Sequence, residues 1–305
     1  MWGNLSNMGR LKDLQPPPRH VPLGVRVKAI FGGFLQQFGW LFFTFGMLFV
    51  LIFFTGGGAA EGLARELAFR GERGIVQGVI TSAHETSASE NETEIVYFQY
   101  EYKVDGQTYG GESYTTGWIS DVDQNATVEY LKSDPSLSRL QSGRWSQFSP
   151  WIGLFVGIFP AVGLAMALAS LPHGLRSAKL LKYGRVAYGT LVSKEPTNTS
   201  VNEQTVYEFT FKFTAESTGR EHFAKAKTHE TEILEDEEQE PLLYLPSFPE
   251  HAVLFDNLPG SPTVDQRDHL TGGSIFSALL YALMPTLGTL EVLVVINDLY
   301  SAFFG

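Results

Sequence analysis

The sequence predicts a membrane α+β protein, in which three transmembrane helices alternate with two small, duplicated antiparallel β-barrel or β-sandwich domains. Three strongly apolar segments cover residues 30–54, 151–171 and 275–296. Because a hydrocarbon core of about 30 Å takes about 20 helical residues to cross, each segment is long enough to span it. The two stretches between these segments repeat one pattern of strand and turn residues. The pattern therefore indicates a duplicated domain outside the bilayer.

Charged residues and proline distinguish the third apolar segment from the first two. The first two segments lack Asp, Glu, Lys and Arg, whereas the third contains Glu291 and Pro285. A re-entrant helix pair broken at Pro285 is the alternative for the third segment, since proline removes a helical hydrogen bond. We predict a basic tail over 1–28, transmembrane helices over 29–55, 149–171 and 274–297, and β-domains over 74–143 and 184–268.

The basic residues beside these segments predict their orientation, because Lys and Arg near a span stay in the cytoplasm. Five precede the first segment and four follow the second: Arg10, Lys12, Arg19, Arg26 and Lys28, then Arg176, Lys179, Lys182 and Arg185. We therefore expect a multi-pass protein of the inner (cytoplasmic) membrane, with the N-terminus cytoplasmic. The first β-domain is then extracytoplasmic and the second is cytoplasmic.

The repeat is clearest at the end of each β-region. Residues 130–140 and 244–254 are identical at five of eleven positions without a gap. Aromatic residues also alternate with polar ones over 98–102 and over 209–213, a period of two that indicates a half-buried strand. We predict about five strands in each copy, with buried aromatic side chains.

Two kinds of turn are predicted within each copy. Asp105-Gly106 lies between β-forming residues and indicates a tight hairpin, and Thr218-Gly219 takes its place in the second copy. Pro135 and Pro249 each follow a Tyr-Leu-x-Ser-x sequence. Because proline cannot donate to a strand ladder, we expect each to end the preceding strand and turn the chain.

Three features carry a resemblance to a known family: the Gly-x-Val-x-Gly of residues 74–78, the aromatic strand with its Asp-Gly hairpin, and the Tyr-x-x-x-x-Pro of residues 130–135. On these features the chain resembles bacterial membrane proteins that carry the domain of unknown function 3592, here in two tandem copies. In the second region, residues 181–189 and 234–259 carry the match. The family has no assigned activity, so the resemblance implies a fold and a span–domain–span layout without catalytic residues.

Composition and motifs argue against several function classes. A net charge of −11 argues against nucleic-acid binding, and the lack of cysteine removes thiolate chemistry and Cys-based metal sites. Phosphate-loop, His-Glu-x-x-His and Gly-x-Ser-x-Gly motifs are absent. We interpret Glu235, Asp236, Glu237 and Glu238 as a solvated acidic surface, since their run lacks the spacing of a calcium loop. We expect no enzymatic activity, no cofactor and no metal.

Small and polar residues within the spans predict contacts between helices. Gly153, Gly157, Ala161 and Ala165 recur every four residues, a spacing typical of closely packed membrane helices. Gln36, Gln37 and Glu291 are the candidate intramembrane polar groups.

The expected function is that of a non-catalytic membrane assembly or scaffold protein. It would self-associate, or join a membrane complex, through its β-domains and helix faces within the lipid bilayer. The alternative is a subunit of a channel or transporter whose pathway uses Gln36, Gln37 and Glu291.

Overall fold

The computed structural model describes residues 11, 14–229, 231–234, 239–272 and 274–304, and it is an α+β chain. The α-helices are α1 Leu23–Phe31, α2 Phe34–Leu51, α3 Ala59–Ala68, α4 Pro150–Val156, α5 Ile158–Tyr183 and α6 Ile275–Phe304. The strands are β1 Arg73–Glu90, β2 Thr93–Val104, β3 Gln107–Thr116, β4 Asn125–Leu131, β5 Asp134–Leu140, β6 Arg185–Val201, β7 Gln204–Ala215, β8 Arg220–Thr228, β9 Glu240–Leu245, β10 Phe248–Leu254, β11 Thr263–Val264 and β12 Leu270–Thr271. A π-helical turn lies at Ile52–Gly56, and 3-10 turns lie at Thr231–Leu234 and Phe255–Asn257.

The chain divides into two compact units, and the division falls within the three long helices α2, α5 and α6. One unit comprises Met1–Leu41 and Leu164–Pro285, and the other comprises Phe42–Gly163 and Thr286–Gly305. Strands β1–β5, called here the first β-domain, belong to the latter unit. Strands β6–β10, the second β-domain, belong to the former.

The two β-domains have the same strand order. The first sheet runs β3-β2-β1-β4-β5 and the second β8-β7-β6-β9-β10, with antiparallel neighbours throughout. A register shift falls between Ile80 and Ser82 in the first sheet and between Leu191 and Ser193 in the second. The prediction of antiparallel β-domains alternating with apolar helices is therefore confirmed.

The predicted closed form of these domains is wrong. Over the described residues, each domain is one open five-stranded sheet and forms neither a closed barrel nor a two-sheet sandwich. In the first sheet, the described residues form no ladder between the edge strands β3 and β5. Instead Leu140 N donates to Ser113 Oγ at 3.0 Å, and Tyr114 pairs with Arg144 beyond the end of β5. Strand β5 has seven residues and contains Pro135, so it cannot supply the full set of donors that closure needs.

The residues at the tips of three hairpins adopt a left-handed backbone conformation. Asp105-Gly106 closes the β2–β3 hairpin with φ values of 50° and 81°, as predicted from the Asp-Gly pair. The β1–β2 and β6–β7 hairpins both close on Asn-Glu, and all four residues have φ between 50° and 65°: Asn91, Glu92, Asn202 and Glu203. Consecutive positive φ values are those of a two-residue type I′ turn, whose twist matches the flanking strands.

The predicted role of the prolines is wrong by two residues. The chain turns at Lys132-Ser133 and at Pro246-Ser247, before Pro135 and Pro249 are reached. Each of these two prolines is the second residue of the following strand, β5 or β10. Both strands lie at sheet edges, where a missing N–H breaks no ladder bond.

The aromatic stripes form the cores of the sheets, as predicted. Phe98, Tyr100 and Tyr102 are buried in the first β-domain, and Phe209, Phe211 and Phe213 are buried in the second. Strand β9 is buried on both faces, because Leu243 and Leu245 pack with α1 and the end of α5.

The three apolar stretches Phe34–Gly56, Pro150–Tyr183 and Ile275–Phe304 are long and apolar enough to cross a membrane. Their most apolar windows are 39%, 22% and 11% buried by the chain itself. The helix predicted from residue 29 is interrupted at Gly32-Gly33, where a Cβ on Gly32 would lie 2.4 Å from the Lys28 carbonyl oxygen. Helix α6 continues through Pro285, so the alternative of a re-entrant pair finds no break there.

Candidate functional site

The two predicted intramembrane glutamines form hydrogen bonds between chain segments. Gln36 is 2% exposed, and its Oε1 accepts a hydrogen bond from Ser170 Oγ of α5. Gln37 Nε2 donates to the carbonyl oxygen of Phe31 at 2.6 Å and more weakly to that of Tyr281 at 3.4 Å. Both side chains therefore stabilise helix contacts, since a polar group in an apolar layer needs an internal partner.

The predicted small-residue stripe is divided between two surroundings. Gly153 is buried, and a Cβ there would lie 2.5 Å from the Phe54 ring. Gly157 ends α4, and only atoms of its own helical segment lie within 4 Å of a Cβ at that position. Ala161 and Ala165 are exposed. The face of α5 that the chain buries is a different one, formed by Gly163, Ala167, Ser170, Gly174 and Ser177.

A helix break accounts for this division. Pro160 has no N–H for the carbonyl of Val156, the last residue of α4. Pro160 also packs against Gly46, where an added Cβ would lie 2.7 Å from the proline ring. Pro160 thus accompanies a break between α4 and α5, and this break separates the surroundings of Gly153 from those of Ala161 and Ala165.

Glu291 lies on α6, three residues after Gly288. A Cβ on Gly288 would lie 2.7 Å from the Phe43 ring, so this part of α6 packs closely against α2. Among the described residues, Glu291 Oε2 is buried and has no hydrogen-bond partner. A carboxylate in such surroundings marks a functional candidate, because burial without a partner costs free energy.

The predicted acidic surface of Glu235, Asp236, Glu237 and Glu238 lies outside the described residues. In the part of the chain that the structure describes, no three His, Asp or Glu side chains converge on a possible metal position.

A polar cleft of about 560 Å³ opens in the first β-domain, between the edge strands β3 and β5. Its charged lining consists of Arg65 with Glu101, Glu112 and Asp134. Arg65 Nη2 lies 2.6 Å from Glu61 Oε1 and 3.4 Å from Glu112 Oε1. The cleft therefore has an excess of acidic groups and suits a polar or cationic group better than an anion.

Hydroxyl groups lie at the base of this cleft. The Tyr100 hydroxyl lies 3.1 Å from Ser138 Oγ, and Trp145 Nε1 donates to the Ser138 carbonyl oxygen at 2.7 Å. Gly111 faces Tyr100 across the β2–β3 ladder, and a Cβ there would lie 2.5 Å from the tyrosine ring. The glycine therefore leaves the space that the ring occupies.

Burial raises the pKa of Tyr100 to about 12. The hydroxyl is consequently protonated at neutral pH and cannot remove a proton from Ser138 as a general base. Nearby, burial and a 2.7 Å hydrogen bond to Glu112 also raise the pKa of Tyr97. Both tyrosine hydroxyls are therefore neutral at pH 7 and able to donate hydrogen bonds.

Sequence reasoning missed Ser138, Ser170 and the cleft. A serine in an edge strand or an apolar helix is common, and its pattern alone does not indicate a partner 38 or 134 residues away. The one weak signal was a polar residue within an apolar helix, at Ser170 on α5.

Comparison with known proteins supports the family of the first β-domain. Residues 76–145 match the family model described as domain of unknown function (DUF3592). The match begins within β1 and ends at Trp145, just beyond β5. No curated protein and no solved structure matches the chain. Residues 76–145, which cover most of the first β-domain, are thus similar to this domain family.

Proposed function

We propose that the chain is a multi-pass inner-membrane assembly or scaffold protein without catalytic activity, and that it self-associates or binds partner proteins. The N-terminus and the second β-domain lie in the cytoplasm, and the first β-domain lies outside. The second β-domain is a tandem copy of the same domain family, which the shared strand order and bulge position support.

The open small-residue face of α5 is the observation that carries this proposal. Ala161, Ala165 and Ala169 are exposed along one side of the helix, while a separate small-residue face is buried by the chain. In a bilayer, small residues let two helix backbones approach closely and gain dispersion contacts. A second copy, or a partner helix, fits this open face.

Exposed apolar side chains on the first β-domain supply a second contact surface. Ile75 and Val79 project from the outer face of β1 and are 65% and 41% exposed. Trp118, Ile119 and Val122, in the segment after β3, are also exposed. Apolar surface of this kind outside a membrane marks a protein contact.

The particle mass tests the proposal. We expect the full chain, extracted in a mild detergent, to run as a discrete multiple of 33.8 kDa or as a complex with other chains. The variant Ala161→Leu/Ala165→Leu fills the open face and should lower the oligomer fraction. Met166→Phe enlarges a partly exposed side chain about 100° or more around α5 from both alanines and is the matched control.

The β-domain surface is tested in the same way. Val79→Lys should weaken association, whereas Gln77→Lys adds the same charge to the same exposed face of β1 and is the control. A monomer of unmodified protein that captures no partner under gentle extraction would refute the proposal.

A channel or transporter subunit is the second candidate function, and the unpartnered Glu291 Oε2 supports it. The buried Gln36 Nε2, which has no hydrogen-bond partner among the described residues, supports it as well. Gln37 supports it less, because its Nε2 donates to the Phe31 carbonyl oxygen. Reconstituted protein should then conduct ions in liposomes, and Glu291→Gln should reduce the conductance. Liposomes that stay as tight with the protein as without it would exclude this function.

A further inference from the structure

A small pocket with basic and apolar walls lies where α5 leaves its apolar stretch. Six residues line the pocket, whose volume is about 230 Å³: Leu175, Arg176, Lys179, Leu245, Phe248 and His251. The first three come from α5, and the others come from β9 and β10 of the second β-domain. All six belong to one compact unit. We call this the basic pocket.

The position of the basic pocket along α5 is that of a membrane surface. The apolar sequence of α5 ends at Leu171, and basic residues recur from Arg176 onward. Gly174, just before the pocket, packs so closely against the backbone of Ile30 that a Cβ would lie 2.1 Å from its carbonyl oxygen. The pocket therefore opens within about one helical turn of the end of the apolar stretch.

The charge of the basic pocket suits an anion. Arg176 and Lys179 are three residues apart on α5, so their side chains share one helix face, and no acidic residue lines the pocket. Among the described residues neither forms a salt bridge, whereas Arg139, Arg144 and Lys225 of the β-domains each have a carboxylate within 3.1 Å. Arginine and lysine left uncompensated beside a bilayer attract phosphate groups.

The apolar wall distinguishes a lipid from a soluble anion. Leu175 and Phe248 are 51% and 50% exposed, and the Phe248 ring stacks on His251 with 6.2 Å between centroids. A soluble phosphate has no apolar atoms to cover these side chains. The glycerol and upper acyl carbons of a lipid can cover them and so remove apolar surface from water. The volume is below that of a typical drug-sized site, which suits a headgroup rather than a whole molecule.

We propose that the basic pocket binds the headgroup of an anionic glycerophospholipid. Arg176, Lys179 and His251 donate hydrogen bonds to the phosphate, and Leu175 and Phe248 cover the first carbons of the lipid. The first β-domain has no counterpart, because Asp134 holds the turn position that Phe248 holds in the second. The inference rests on the proposed insertion of the helices in a membrane.

Lipid binding to the full chain tests the pocket. Protein in mild detergent is titrated with phosphatidylglycerol or phosphatidylcholine, and bound lipid is counted by native mass spectrometry. We expect selective binding of phosphatidylglycerol, weakened about 10–30-fold by Arg176→Gln/Lys179→Gln, since each basic residue contributes to the attraction. The control Lys212→Gln/Arg220→Gln removes the same charge from the second β-domain, outside the pocket, and should leave binding unchanged.

A second variant changes the wall of the pocket that β10 forms and leaves α5 unchanged. Phe248→Asp introduces the residue of the first β-domain at an exposed turn, so it should weaken phosphatidylglycerol binding without unfolding the domain. Equal binding of the two lipids, or equal loss in the pocket and control variants, would overturn the inference. So would displacement of the lipid by glycerol phosphate at similar concentration, which would indicate a soluble ligand.

Membrane extraction separates the failure of this inference from that of the proposed function. Release of the chain from membranes by alkaline carbonate would overturn membrane insertion and the lipid site together. Retention in the membrane without selectivity for phosphatidylglycerol would overturn the lipid site alone.

Discussion

In the first β-domain Tyr100 lies opposite Gly111 and bonds to Ser138, whereas in the second β-domain Phe211 lies opposite Ala224. The strand register places Ala252 at the position that corresponds to Ser138. The same strand arrangement therefore holds a Tyr–Ser hydroxyl pair beside a polar cleft in one copy, and Phe and Ala at those two positions in the other. The two copies thus share strand order and register, whereas the residues buried between the edge strands differ.

Deleting equivalent core rings should have the largest effect and should be alike in both copies. Phe98 and Phe209 are both 0% exposed, so Phe98→Ala and Phe209→Ala should each cost about 3–5 kcal/mol of domain stability. Hydrogen exchange of β1–β5 and β6–β10 in the full chain measures both losses. A loss confined to one domain would break the equivalence of the two cores.

High pH should weaken the first β-domain through Tyr100. The folded pKa of Tyr100 is raised from 10.0 to about 12, so its contribution is fully present below the unfolded pKa and is lost as pH rises through the folded value. The expected loss is roughly 2–3 kcal/mol between about pH 10 and 12.

The variant Tyr100→Phe isolates this contribution from that of other tyrosines in the domain. It should flatten the pH dependence of urea unfolding followed by the fluorescence of Trp118 and Trp145. An unchanged pH profile in the variant would show that Tyr100 does not ionise on unfolding in this range.

Exchanging the hydroxyl between the copies should have unequal costs. Tyr100→Phe removes one hydrogen bond and should cost about 1 kcal/mol, whereas Phe211→Tyr buries a hydroxyl without a partner and should cost about 1–3 kcal/mol. Adding Ala252→Ser to Phe211→Tyr supplies the missing partner and should recover part of the loss. Unfolding free energies of these three variants and of the parent chain measure the recovery, and no recovery would argue against the register equivalence.

The hairpin tips should show the smallest effect. Glu92 and Glu203 have φ values of 64° and 65°, a left-handed conformation in which glycine is less strained. Glu92→Gly and Glu203→Gly should therefore each stabilise their domain by about 0.5–1 kcal/mol. Matched variants Thr93→Gly and Gln204→Gly, in the adjoining strands, should destabilise, and thermal unfolding distinguishes the two signs.

The positions of the long helices could be predicted from the sequence, but the faces that they bury could not. Length and apolar composition were sufficient to locate three potential spans, because these properties depend on neighbouring residues alone. The face of α5 that the chain buries was not predicted, since Gly153 and Ala161 continue one small-residue pattern and only the break at Pro160 separates them. The Asn-Glu turns were also missed, because the usual signal for such a turn is Asn-Gly.

By itself the sequence determined the alternation of apolar helices with β-domains, the aromatic strand stripes and the Asp105-Gly106 hairpin. These features follow from periodicity and local backbone preference, which act within a few residues. Only the tertiary structure decided that the sheets stay open, that Gln36 meets Ser170, and that Arg176 and Phe248 line one pocket. Such contacts join residues far apart in the chain, where packing geometry rather than local pattern selects the partner.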